Sequence, residues 1–159
     1  MKNLNQEKVC YIQSGWHQNI VNNLKESCVK TLLDAGIVKS NIDFVEVPGA
    51  LEIPLQAKLR AETDKYSIII VAGLIVDGGI YRHEFVADAI IKSIMDIQLE
   101  TRVPIIHSIM TPVTFHESGE HEAFFLKHFE SKGKEAGTAC LQTINNCNEV
   151  QKEVAARAA

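Results

Sequence analysis

The stretch Ser67-Ile68-Ile69-Ile70-Val71-Ala72-Gly73-Leu74-Ile75-Val76 decides the fold. It is rich in β-branched residues and nearly all apolar, with no alternation of polar and apolar positions. That pattern belongs to a strand buried on both faces, in the middle of a parallel sheet covered by helices. Its apolar run is far short of the roughly 20 residues that cross a bilayer. Downstream, Asp77-Gly78-Gly79 reads as a loop, helical spacing resumes from about Arg82 to Leu99, and Pro104 to Met110 is another apolar strand. Upstream, Leu51 to Thr63 reads as a helix and Ile42 to Val47 as a strand closed by Pro48-Gly49. His17 to Ala35 is a helix with Ile20, Leu24, Cys28 and Leu32 on one face, and Gly36 stops it.

Lys8 to Ser14 supplies the first strand, and Val9 to Ile12 reads as an edge in need of cover. The segment from Ser118 to about Glu153 is helical, with a break expected near Gly133, and the tail from Val154 is expected to fray. The resulting order, β-α-β-α-β-α-β-α-α, predicts an α/β fold: a three-layer α/β/α sandwich with a central, mostly parallel four-stranded sheet. With 159 residues and no linker or repeat, the chain reads as a single domain over residues 1–159.

A formal net charge of -4 without a basic stripe argues against nucleic acid as a partner. The polar start MKNLNQEK lacks the apolar core of a secretion signal, so the expected location is the cytoplasm, with no membrane partner. Four cysteines without a CxxC pair predict no disulfide framework, and Cys10 and Cys28 read as small core residues.

In parallel sheets of this kind, ligands bind outside the carboxyl ends of the strands. Trp16, in Ser14-Gly15-Trp16-His17, follows the first strand. An indole there stacks on a flat heterocycle or packs on its own helix. In Val47 to Pro54 (VPGALEIP), Gly49 permits close approach, and the Glu52 carboxylate either complements the helix dipole or accepts hydrogen bonds from a ligand. In Gly73 to Val86 (GLIVDGGIYRHEFV), two glycines precede a helix N-terminus carrying Arg82 and His83. That suits an anion together with proton transfer, or is a plain surface pair. The late histidines raise the question of a metal. His116 and His121 are five residues apart, which turns a helix by about 140°, so the rings diverge and no metal is expected. His121, His128 and Lys132 could serve a phosphate, or lie on the solvated face of a helix whose Phe124, Phe125 and Phe129 enter the core.

Taken together and in this order, the segments resemble the lumazine synthase family, from the Trp16 turn to Lys132–Gly137. VPGALEIP is similar to the family's PGA-x-EIP motif. Gly73 to Val86 resembles its G-x-x-I-x-G-x-T-x-H-x-x-x-V segment. The DGGIYRH and HES-x-EH-x-x-FF stretches resemble the second bacterial type, which tends towards decamers built from two pentamers.

The resemblance implies a transferase with a flavodoxin-like fold and no cofactor. It would condense 5-amino-6-ribitylaminouracil with 3,4-dihydroxy-2-butanone 4-phosphate, in riboflavin biosynthesis. It also implies a homo-oligomer whose sites lie between subunits, with an N-terminal segment that can join a neighbour's sheet. By the same resemblance Trp16 stacks on the pyrimidine, and Ala50, Leu51 and Glu52 hold the ribityl chain. Leu74, Ile75 and Val76 contact the uracil, while Gly79 and Ile80 take the phosphate-bearing substrate. His107 occupies a position where the family often has an aromatic from a neighbouring subunit. His83 is assigned proton transfer and Arg82 the phosphate charge, although an ungapped match sets Arg82 at the family's histidine. His128 and Lys132 are the candidates for the remaining phosphate contact. The rival readings are a non-catalytic flavin- or lumazine-binding oligomer, an assembly protein and a metal hydrolase.

Overall fold

The computed structural model describes residues 4–79, 82–113, 115 and 119–158, with the backbone alone at 119–121 and 158. Its strands are β1 (Val9–Ser14), β2 (Ile42–Val47), β3 (Ile68–Leu74) and β4 (Ile105–Met110), and its helices are α1 (Gln18–Asp34), α2 (Ile53–Ala61), α3 (His83–Thr101) and α4 (Gly119–Ala158). All strand pairs are parallel, in the order β2-β1-β3-β4. This is a three-layer α/β/α sandwich with the flavodoxin-like strand order. After β2 the chain steps back over β1, so the direction of crossover reverses. Right-handed crossovers then place α1 on one face and α2 and α3 on the other. The core divides accordingly. Leu24, Cys28 and Phe129 pack on one side of the sheet, and Ile53, Ile90 and Ile94 on the other. β3 is buried at all seven positions, as its sequence requires.

The α1 stripe lies in the core, and Gly36, at φ 104°, ends that helix. The Gly36 amide donates to Leu33 O at 3.0 Å and the Ile37 amide to Leu32 O at 3.1 Å, the paired bonds of a Schellman stop.

Three expectations are corrected. β1 is interior rather than an edge, because β2 and β3 flank it and all six of its residues are buried. The edges are β2, where Phe44 is exposed, and β4. No break occurs at Gly133, and α4 continues through the expected fraying tail to Ala158. Gly133 lies in the buried stripe of α4, against α1. A methyl group built on it would stand 2.0 Å from Ser27 Oγ and 2.2 Å from Leu24 O. The glycine serves close helix packing, not helix termination.

Above that contact the two helices run side by side with a regular polar seam. Asn19 bonds Glu122, Asn23 Nδ2 donates to Leu126 O at 3.2 Å, and Ser27 Oγ donates to Glu130 O at 2.7 Å. Steps of four residues on each helix keep one face of α1 against one face of α4. The N-terminal segment, read as polar and unordered by itself, is docked on its own chain from Leu4. Asn41 Nδ2 donates to Asn5 O at 2.8 Å, and Asn148 Nδ2 to the carboxylate of the buried Glu7 at 3.0 Å.

Candidate active site

β1 and β3 are the neighbours at which the crossover direction reverses, and the loops leaving their carboxyl ends part to opposite faces. Such a switch point opens a crevice for a ligand. The loop after β1 is tied to the loop after β2: the Gly15 amide donates to Val47 O at 2.8 Å, and Gln18 Nε2 donates to Glu46 Oε1 at 2.8 Å. Between β1 and β3 the Ser14 hydroxyl lies over Gly73, where an added methyl group would come within 2.7 Å of Ser14 Oγ. His17, in the left-handed region at φ 53°, turns the chain from strand into α1 and leaves Trp16 outside the core, 68% exposed.

Trp16 and Glu52 both approach Gly49. A methyl group on Gly49 would stand 3.1 Å from Glu52 Oε2 and 4.0 Å from Trp16 Nε1. Gly49 has an extended backbone (φ -145°), so a glycine is needed here for closeness, not for conformation. Residues Ala50–Glu52 form a 3-10 turn before Ile53 starts α2, so the helix begins later than its sequence suggests. Glu52 Oε2 accepts from the Gly49 amide at 2.9 Å. The local capping role is therefore real, and it also fixes the carboxylate at Gly49, which the indole approaches from the other loop.

Leu74 and Ile75 are buried and Val76 is half-buried, and the Ile75 amide donates to Met110 O at 2.9 Å, which locks the end of β3. Gly79 (φ 75°) donates its amide to Asp77 Oδ1 at 2.9 Å, so this expected phosphate donor is already engaged by a carboxylate. Ile80 lies outside the described residues. Arg82 is the N-cap of α3, which packs against α2 and the Ala50–Glu52 turn. The side chain of His83 is 13% exposed, with Nδ1 3.5 Å from Glu84 Oε2. Arg82 and His83 thus follow the same strand ends, although no hydrogen bond or ion pair among the described residues joins them to Trp16 or Glu52.

The remaining candidates stand apart within one chain. His107 is mid-strand in β4, opposite Val71, on the side of Ile105 and Ile109. Its Nε2 is buried without a hydrogen-bond partner among the described residues, and burial pushes its pKa below the usual 6.5. His128 and Lys132 sit on α4, across the sheet from α2 and α3. His128 stacks on Phe124 with ring centroids 5.7 Å apart, and Lys132 Nζ is paired with Glu135 at 2.6 Å. Two cavities of about 330 and 350 Å³ lie beside α1, one against Phe44 of β2 and one against Glu122 of α4, and neither includes Trp16 or Glu52. The larger is lined by His17, Asn19, Ile20, Phe115 and Glu122. No sequence signal marked it, because Phe115 and Glu122 reach His17 only through tertiary packing. Among the described residues no cluster of His, Cys, Asp and Glu is arranged to hold a metal ion. His116 and the side chain of His121 lie outside those residues.

The family model for 6,7-dimethyl-8-ribityllumazine synthase matches residues 6–148. The chain belongs to the lumazine synthase family. Relatives named for this enzyme match almost end to end. "6,7-Dimethyl-8-ribityllumazine synthase 2" of Pseudomonas syringae pv. tomato is 45% identical over 92% of this chain and 86% of its own length. The synthase of Rhodococcus erythropolis is 44% identical over 92% of this chain and 94% of its own. A second "synthase 2", from Bradyrhizobium diazoefficiens, is 43% identical over 94% and 90%. No helix of the described residues is long and apolar enough to cross a membrane.

Proposed function

We propose that the chain is a 6,7-dimethyl-8-ribityllumazine synthase of riboflavin biosynthesis, a single cytoplasmic domain that works as a homo-oligomer. The observation that carries this reading is the indole of Trp16 set beside the Glu52 carboxylate across a bare glycine backbone. The flat indole stacks on the pyrimidine, and the turn at Ala50, Leu51 and Glu52 binds the ribityl hydroxyls. The strand end at Leu74, Ile75 and Val76 orients the uracil. The amine of that substrate attacks the ketone of 3,4-dihydroxy-2-butanone 4-phosphate and water is lost to give an imine, phosphate leaves by elimination, and the second ring closes with loss of a second water. Arg82 neutralises the phosphate, and His83, oriented by Glu84, moves the protons. Gly79 and Ile80 take the phosphate-bearing substrate, the Gly79 amide exchanging Asp77 for it. Holding two substrates together removes much of the entropic barrier.

His107, His128 and Lys132 complete the site from a neighbouring copy, since within one chain they stand away from Trp16. The apolar face of α2 and α3 supports such an assembly. Leu51 in the Ala50–Glu52 turn is followed at four-residue steps by Leu55 and Leu59 on α2, Ile91, Met95 and Leu99 recur likewise on α3, and all six are exposed in the single chain. An apolar face this continuous is costly in water and marks a contact surface. The order of assembly we favour is a pentamer, paired into a decamer of the second bacterial type.

Mixing the two substrates with the purified chain is expected to produce the lumazine chromophore, at a rate unchanged by strong chelation. Folded protein that binds lumazine but forms none would establish the non-catalytic binder instead.

A further inference from the structure

At the first turn of α3 the Arg82 guanidinium lies over the ring of Phe85, 5.7 Å from its centroid. The backbone sets the pair three residues apart, and the Phe85 amide donates to Arg82 O at 3.0 Å. Phe85 is 67% exposed, so its ring is not held there by the core. Among the described residues no carboxylate pairs with Arg82, and the nearest in sequence, Glu84, faces His83. The difference between an aromatic and an acidic partner is chemical. A carboxylate would fix the guanidinium by consuming its N–H donors and cancelling its charge. A ring face attracts the cation through its quadrupole and leaves the donors at the edge of the plane free.

We propose that Phe85 is a positioning residue for Arg82. It holds the guanidinium flat, charged and with its donors open, ready to take the phosphate of the four-carbon substrate. The assignment rests on the reading of Arg82 as the phosphate's counter-charge.

Steady-state kinetics of the assembled enzyme, with each substrate varied in turn, test it. Phe85→Leu keeps an apolar side chain but loses the ring face. It is expected to raise KM for the phosphate-bearing substrate about two- to fivefold, leaving kcat and the pyrimidine KM unchanged. Phe85→Tyr should restore the wild-type value. On an Arg82→Ala background, Phe85→Leu should add nothing, because the partner is gone. An equal effect with and without Arg82, a rise in both KM values, or a loss of assembly by light scattering would overturn the proposal, each assigning Phe85 to packing instead. Failure of the wild type to form product would count against the condensation reading alone. Calorimetry with inorganic phosphate would then still test the pair, since binding should depend on Arg82 and weaken in Phe85→Leu. Binding of phosphate indifferent to both changes would sink it.

Discussion

A residue's chemistry here is set by what lies within a few ångströms of it. Trp16 is exposed, and among the described residues its indole approaches Gly49. Trp16→Ala should therefore leave the melting temperature and the assembly nearly unchanged, as surface substitutions do. The same change should lower kcat/KM for the pyrimidine at least about tenfold, because a stacking face of indole size is lost. Unchanged turnover would show that the pyrimidine does not stack there. The tryptophan and the PGALEIP stretch were legible as candidates in the sequence. Their adjacency was not, because 32 residues, mostly of helix and strand, lie between Trp16 and Gly49. Gly79 teaches the opposite lesson: its sequence context suggests an open amide, and only the structure finds Asp77 occupying it.

Elements obeyed their hydrophobic periods. The four-residue repeat of α1 and the unbroken apolar run of β3 depend on local spacing, so both could be read directly. Gly133 could not. Glycine both ends helices and permits close helix contact, and which it does depends on a partner about 100 residues away in sequence. Alanine favours helix over glycine by about 1 kcal/mol in isolation. Gly133→Ala should nevertheless destabilise the fold by about 1–3 kcal/mol in denaturant unfolding, since its methyl group meets the α1 backbone. Gly78→Ala, with nothing within 4 Å of the added carbon, should change stability far less. Equal costs at the two positions would remove the close-packing account of the α1–α4 seam.

At the scale of the whole molecule, the described candidate residues fall into two sets on different elements. Trp16, Glu52 and the start of α3 follow the ends of β1, β2 and β3, whereas His107 lies within an edge strand and His128 and Lys132 lie on the opposite layer. We propose that assembly through the leucine face beside α2 joins them. Leu55→Glu places a charge in that face, where it would be desolvated. Light scattering at low micromolar concentration should report dissociation, with activity falling at least about tenfold while the isolated chain keeps its helical signal. An intact oligomer in that variant would move the interface elsewhere.

The sequence by itself determined the elements, their order, the parallel sheet and the family motifs, since each depends on side-chain period and short-range spacing. Tertiary structure alone decided that β1 lies inside the sheet, that Gly133 is a contact rather than a break, and that Trp16 shares a glycine with Glu52. These depend on which distant segments approach, and approach is set by the packing of whole layers, which no local pattern encodes.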